Sequence, residues 1–582
     1  MSSVAAPPST YPSLDSRSSE STVTNEKLTA NTNPPLGLVP EWLDEKRAPK
    51  LSIFRLLMAH IGAALALFLA TTDATIVSTS LPTITSDLAA SETQYTWVGV
   101  SYMLTQTAFQ PLYGKISDLV GRTTVLYGSM AIFAAGSLLC GAAQTITWLI
   151  IARAVAGIGG GGIVSSVWVI TSEIVEVQSR AKWSQALSVT WACSAVAGPL
   201  LGGFFSNTKS LSWRWAFYLN VPVCFVALVV LLISLRNVHL GRPKSASWRA
   251  LGQKFDFIGL LLFMTGTSSI VVGFSFAADY GWTAPLTLTL IILGIVILIC
   301  GGFYELRTKR EALFPRAIFN NLTTGIILVV TFLHNFAFNA GTFYLALYFQ
   351  AANGSTPLQA GLLMLPYSLG SSLASMPAAW FIGLWQKKTK DMSGQKWVIC
   401  TGLILAALGF GLLILLHENS PSALQAVFPL IAGAGLGMLF HAPYQVFTKA
   451  LKPQEIATGT SAFFLVRFTG ATIGLSVAGA IFYGRLQSHL PADYQFTGSS
   501  SSIDWHSLHD LEPLELRSQV LHVVSSAIQA VWLVCAPCLG VALAISAFLR
   551  IHPMDNHTDD STSSQTKESP RTEFQSAQAA TA

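Results

Sequence analysis

Apolar residues in this chain fall into long, nearly uninterrupted runs separated by short polar segments. A helix rises about 1.5 Å per residue, so a run of roughly twenty crosses the ~30 Å hydrocarbon layer of a bilayer. Spanning helices are predicted near 55–81, 96–113, 123–143, 147–171, 183–206, 214–235, 256–275, 284–303, 323–350, 358–382, 397–416, 423–445, 460–483 and 525–549. Fourteen is an even number, so both ends of the chain are expected on one side of the membrane.

The polar segments alternate in charge. One set carries Lys115 and Arg122, then Arg180 and Lys182, the cluster from Arg236 to Lys254, that from Arg307 to Arg316, Lys387 to Lys396, and Lys449 with Lys452. The other is mostly acidic, with Asp87, Glu92, Asp279, Glu418, Asp493 and Asp504. Loops rich in lysine and arginine stay in the cytoplasm, which assigns the first set and both tails to that side. Residues 1–50 and 551–582 are rich in Ser, Thr and Pro, lack apolar runs, and are expected to be disordered cytoplasmic tails. No cleavable signal peptide is read in the first of them, so the first span is expected to act as its own insertion signal. The longest outward segment, about 484–524, contains no run that would cross. Asn353-Gly354-Ser355 falls in an outward loop and is a candidate glycosylation site, whereas the sequons at Asn321 and Asn556 fall inside.

Composition agrees with a polytopic membrane protein: of 582 residues 51% are hydrophobic and 11% charged, and the mean hydropathy is +0.52. The net charge of +5 gives no reason to invoke nucleic acid. All seven cysteines lie in apolar runs, including the pair Cys535 and Cys538, so neither a disulfide framework nor a metal site is expected.

Ionisable groups in mid-membrane are costly and mark function. Asp73 is the one acidic residue placed well inside a span. Burial disfavours the charged form of a carboxyl group, which makes Asp73 the candidate for proton coupling, against the alternative of a carboxylate held permanently in an ion pair. Its expected partner is Arg153, at a compatible depth in the fourth span. The glycines that follow Arg153 have no preceding strand and no Gly-Lys-Ser/Thr, so they read as close helix packing and not as a phosphate cradle. Gly198, Pro199, Gly202 and Gly203 in the fifth span predict a bend with tight packing, suited to a pivot or a proton-tight seal, with a merely kinked helix as the alternative.

Between the second and third runs, Gly114, Lys115, Asp118, Gly121 and Arg122 form a charged turn at the membrane face. With Glu173 at the end of the fourth span it is a candidate cytoplasmic gate, a charge network that holds in one state and breaks in another; the alternative is a set of independently solvated charges. His334, Asn335, Asn339, His441, Tyr444, Gln445 and Arg467 offer hydrogen bonds or charge to a central cavity, though each alone also fits an interhelical contact.

These motifs together resemble the major facilitator superfamily and, within it, the fungal fourteen-span drug:proton antiporters. Gly114 to Arg122 is similar to the superfamily's loop motif, Asp73 to Val77 with Leu81-Pro82 to the first-span motif, Arg153 to Gly157 to the fourth-span motif, and Gly198 to Gly203 to the antiporter motif. Trp213 to Pro222 and Asp256 to Gly259 match further signatures. Ser194 stands where the antiporter motif prefers glycine, and Leu119 where the loop motif usually has a basic residue. The resemblance covers about 50–550 and implies an all-α fold: a six-helix bundle over 51–237, two additional central helices over 238–310, and a second bundle over 311–550. It also implies alternating access about a midplane cavity and proton-driven antiport, with the proton gradient as the energy source and no other cofactor.

The expected function is export of amphiphilic or lipophilic molecules such as drugs, toxicants, secondary metabolites or glycolipids. The alternatives are vacuolar import of basic amino acids and a transport-inactive sensor. A cationic substrate wants several carboxylates facing the cavity, and only Asp73 qualifies, so neutral or weakly charged amphiphiles are favoured. No His-Glu-x-x-His, Gly-x-Ser-x-Gly or nucleotide-binding segment is found, so no enzyme activity is expected. A monomer in the plasma membrane is expected, with the vacuolar membrane as the alternative. Its partners are the small amphiphilic substrate, protons and the lipid bilayer.

Overall fold

A computed structural model describes residues 51–175, 180–208, 211–238, 240, 255–308, 310, 313–314, 321–389, 391–451, 456–491, 505 and 507–550. Both tails, Asn556 and the basic stretch 241–254 lie outside these residues. Fourteen long helices dominate what is described, each on one of the predicted runs: α1 (Ile53–Asp87), α2 (Glu92–Val120), α3 (Arg122–Gly141), α4 (Ile146–Ile174), α5 (Arg180–Asn207), α6 (Trp215–Ser234), α7 (Phe257–Tyr280), α8 (Pro285–Arg307), α9 (Leu322–Ala352), α10 (Leu365–Thr389), α11 (Ser393–Leu413), α12 (Ser422–Lys449), α13 (Ile456–His489) and α14 (Leu514–Ser546). Their starts are written in the local sequence. Ser91 and Gln94 form a reciprocal capping box on α2, Ser52, Thr145 and Asp256 cap α1, α4 and α7, and Pro285 opens α8.

Twelve of the fourteen are both long and apolar enough to cross a membrane; α2 and α10 are the more polar exceptions. Packing accounts for that polarity. Within the first half α1 packs on α5 and α6, and α4 on α2 and α3; within the second α9 packs on α13 and α14, and α12 on α10 and α11. The pairing of α1–α6 is thus repeated by α9–α14. Across the divide α2 meets α13 and α10 meets α5. The two polar helices are equivalent members of the halves and face the opposite half instead of lying wholly against lipid. Between the halves in sequence, α7 and α8 pack on each other, and α7 also reaches α13 and α2.

Burial follows the same plan. Only 11% of the most apolar window of α8 is buried, against 83% for α4 and α9, and exposed Leu286, Ile292, Ile295, Ile299 and Phe303 line its outer side. Without water to drive them together, such helices associate through close packing of small residues. A side chain at Gly136 or Gly159 would strike the backbone of Ala156 or Phe133, so α3 and α4 meet backbone to backbone.

Two expectations change at the element ends. The turn at 114–122 is almost wholly helical: α2 runs to Val120, and the reversal is made by Gly121 alone, at φ +99°, a region that glycine enters without penalty. The last helix begins eleven residues earlier than its apolar run, because its first turns lie outside the hydrophobic stretch. We call the end of the bundle that holds residues 51, 121 and 549 the tail face, and the other the far face. At the far face the described part of the 484–524 segment folds back, with buried Trp505 against Tyr95 and Phe482 and His509 bonded to the Ala351 carbonyl.

Candidate functional site

Midway along the bundle a cavity lies between the two halves. Ala70, Thr71, Ala74 and Thr75 of α1, Met103 and Gln106 of α2, and Trp191 of α5 form one wall. Asn335, Phe338 and Asn339 of α9 and Arg467, Phe468 and Ala471 of α13 form the other. A largely apolar lining with a few convergent polar groups is the usual make-up of a small-molecule site. Arg467 donates from Nε to Asn335 Oδ1 at 3.2 Å, and its guanidinium carbon sits 4.2 Å from the centre of the Trp191 ring.

On the opposite side of α1 lies a wholly buried polar network. Arg153 of α4 pairs through Nη1 with Asp73 Oδ2, donates from Nη2 to the Asp73 carbonyl at 3.3 Å and from Nε to the Val98 carbonyl at 3.2 Å. Asn220 of α6 donates to Asp73 Oδ1 at 2.8 Å and to Ser137 at 3.2 Å. Tyr102 lies 4.4 Å beneath the guanidinium and donates to the Ala70 carbonyl. Asp73 and Arg153 are 1% and 0% exposed, so charge is tolerated here only because both carboxylate oxygens and all three guanidinium nitrogens are bonded. The network ties α1 to α2, α4 and α6.

The remaining face of α1 meets the glycines of α5. A side chain at Gly198 would strike Thr75, and one at Gly202 the Ile76 carbonyl, while Thr79 donates to the Pro199 carbonyl at 2.7 Å. Gly203 abuts the Pro357 carbonyl of the second half, and Gly361 the Pro199 carbonyl. Gln350 of α9 adds a bond of 3.0 Å to the Thr79 carbonyl. Helix α5 is therefore pressed on α1 and on the far half at once.

On the tail side of the cavity the halves meet through aromatic rings and a hydrogen bond. Trp168 of α4 packs on Tyr444 and Phe464, and Trp191 stacks on Phe464 and Phe468. Ser188 of α5 and His441 Nδ1 of α12 lie 3.0 Å apart. Nearer the tail face, Arg122 bonds Glu173 Oε1 at 2.9 Å, the Gly114 carbonyl at 3.1 Å and the Ser117 hydroxyl. Gly114 itself lies against Ser461 of α13.

The sequence profile of the Major Facilitator Superfamily matches residues 63–345 and 327–577. The chain belongs to the major facilitator superfamily. It is thus a multi-pass membrane transporter of a small molecule, not an enzyme. An uncharacterised MFS-type transporter of Schizosaccharomyces pombe is 32% identical over 92% of this chain and 86% of its own length. The efflux pump dotC of Dothistroma septosporum is 32% identical over 79% of this chain and 76% of its own. The efflux pump FUS6 of Gibberella moniliformis is 29% identical over 85% and 88%. The fold is similar to that of a bacterial homologue of the human lysosomal transporter Spinster, with a TM-score of 0.56, 14% identity and coverage of 86% of this chain and 100% of that one.

Within this transporter the residues singled out from sequence are distributed as follows. Asn335, Asn339 and Arg467 line the cavity. His334 instead bonds the Leu436 carbonyl at 3.1 Å, and Gln445 accepts from Gln395 at 3.3 Å, so these two are struts between helices. His441 and Tyr444 belong to the contacts on the tail side, with Tyr444 bonded to Thr460. Asp73 and Arg153 are joined to each other but turned away from the cavity wall. Arg122 pairs with Glu173, whereas the side chains of Lys115 and Asp118 lie outside the described residues. Half-buried Asn353 donates to Ser355 and accepts from Gln425 at 3.1 Å, bonds that a glycan would have to displace. Trp191 and Gln106 were not singled out, and Asn220 was named only within the Trp213–Pro222 signature, without a role. A tryptophan or amide within a span does not say which side of the helix it occupies.

Proposed function

We propose that this transporter is a proton-coupled exporter of amphiphilic small molecules that works by alternating access, with all fourteen helices spanning the membrane and the tail face in the cytoplasm. The observation that carries this reading is the cavity between mirrored halves, with contacts between the halves on both its tail side and its far side. Breaking one set while keeping the other opens the cavity to one face at a time. Similarity to fungal efflux pumps supports export, and the alternation of basic and acidic loops supports the orientation. The plasma membrane is the proposed location. Import of basic amino acids is less well supported, because the cavity wall presents Arg467 and, among the described residues, no carboxylate.

Coupling is assigned to Asp73. One face of α1 lines the cavity and the other holds the Asp73–Arg153–Asn220 network. A proton on Asp73 removes the charge that retains Arg153 and loosens α1 from α4 and α6, and the movement of α1 reshapes the cavity. The pair Arg122–Glu173, with Gly114, Lys115, Asp118 and Gly121, is assigned the cytoplasmic latch, and Gly198, Pro199, Gly202 and Gly203 the pivot. The test is transport of a fluorescent amphiphile in proteoliposomes under an imposed pH gradient. The wild type is expected to move it with the gradient, and Asp73→Asn to insert and bind the dye but not respond to pH. Undiminished gradient-driven transport by Asp73→Asn overturns the coupling role.

A further inference from the structure

Arg467 is a buried cation without a counter-charge. It is 6% exposed and lies on the cavity wall, and among the described residues no carboxylate is within ion-pair distance. Asp73 is committed to Arg153 and Asn220 on the other side of α1. Of the guanidinium nitrogens only Nε has a protein partner among the described residues, Asn335 Oδ1. The two terminal nitrogens, which carry the paired donors that fit a carboxylate, are left for the cavity. The ring of Trp191 under the guanidinium offsets part of the cost of burying a charge but supplies no hydrogen-bond acceptor. Arg153, which is still more deeply buried, is treated differently: it has an anion and every nitrogen bonded.

The missing acceptor must come from what the cavity binds. We propose that Arg467 is the specificity-determining residue of the substrate site and that the transported molecules are aromatic or flat amphiphilic acids. The acid group would pair with the terminal nitrogens of Arg467, and the apolar body would lie along Trp191, Phe338 and Phe468, with Asn339 as a further polar contact. This rests on the reading of the cavity as the transport site and narrows the substrate within it.

The test compares three probes of one shape on the purified full-length protein in lipid nanodiscs: 1-naphthoate, its methyl ester and 1-naphthylmethylammonium, followed by quenching of tryptophan fluorescence. The wild type is expected to bind the acid at least about tenfold more tightly than the ester, and the cation weakest. Arg467→Gln is expected to bring acid and ester within about twofold of each other, and Arg467→Lys to keep part of the preference. Thermal unfolding of each variant identifies any that fail to fold, and the wild-type comparison stands without them. Equal affinity for acid and ester in the wild type, no binding of the acid, or an acid preference retained by Arg467→Gln overturns the proposal. Export is read separately, by uptake of both probes into inside-out vesicles under a pH gradient. Acid preference in binding with no uptake of either probe would count against export and leave acid recognition standing.

Discussion

Asp73 and Arg153 illustrate how far one residue's burial constrains its neighbours. Each is tolerated in the membrane interior because the other is there, so removing one leaves the other uncompensated. Arg153→Met is expected to destabilise the protein by about 3–5 kcal/mol, the usual cost of stranding one member of a buried pair. Adding Asp73→Asn to Arg153→Met should recover a substantial part of that loss, since an amide needs no counter-ion and Asn220 remains to bond it. Thermal unfolding of the purified variants measures the cycle, and simple additivity of the two losses would show that the pair is not coupled. The pair was legible in the sequence because an aspartate and an arginine stand out among apolar residues. The role of Asn220, which satisfies the second carboxylate oxygen, was not: it stood only inside the Trp213–Pro222 signature, and the apolar run around it does not say whether an amide faces a cavity, a neighbouring helix or an ion pair. The same ambiguity separates Asn335 and Asn339, which reach the cavity, from His334, which is one position away and does not.

Among the elements, α1 and α5 are held closest where glycine removes side chains. Gly202→Val would place methyl groups against the Ile76 carbonyl and the Thr79 side chain, so α5 must shift or α1 must bend. Overpacking of this kind costs about 1–3 kcal/mol, and a lowered unfolding temperature together with lost transport is expected. Gly128→Ala, where an added carbon meets nothing, should change neither and serves as the control. At the start of α11, hydrogen bonds from Ser393 and Thr389 hold the half-buried Asp391 carboxyl below the usual carboxylate range. A lowered value means that this support is complete above the ordinary carboxylate range and is lost as the pH falls through the lowered one. Protection of the Ser393 amide from exchange, taken relative to its intrinsic rate at each pH, should therefore fall in acid in the wild type, and Asp391→Asn should abolish that dependence. Every long helix was anticipated by an apolar run, because the bilayer's thickness sets a length that few other structures need. Element ends were less legible. The helix α2 passes through Lys115 and Asp118 to Val120, since charges at a membrane face are compatible with helix, and only the positive φ at Gly121 forces the break.

For the whole molecule, the repeated pairing of α1–α6 and α9–α14 means that the same contacts occur twice, with the cavity where the repeats face each other. A transporter that exposes this cavity to each side in turn must separate the halves at the tail face in one state and at the far face in the other. Ser188 and His441 bridge the halves on the tail side by a hydrogen bond, beside the Trp168–Tyr444 contact. Neither lines the cavity, so joining them leaves the binding residues in place. In a background with the native cysteines replaced, the pair Ser188→Cys with His441→Cys is expected to be linked by a short bifunctional thiol reagent. The linked protein should retain dye binding from the far side but transport at a small fraction of the unlinked rate, and reductant should restore it. Either single variant treated in the same way should transport normally. Full transport by the linked protein would mean that the tail-side contacts stay together throughout the cycle, and motion between the halves would then have to be sought along α7, where it packs on α2 and α13.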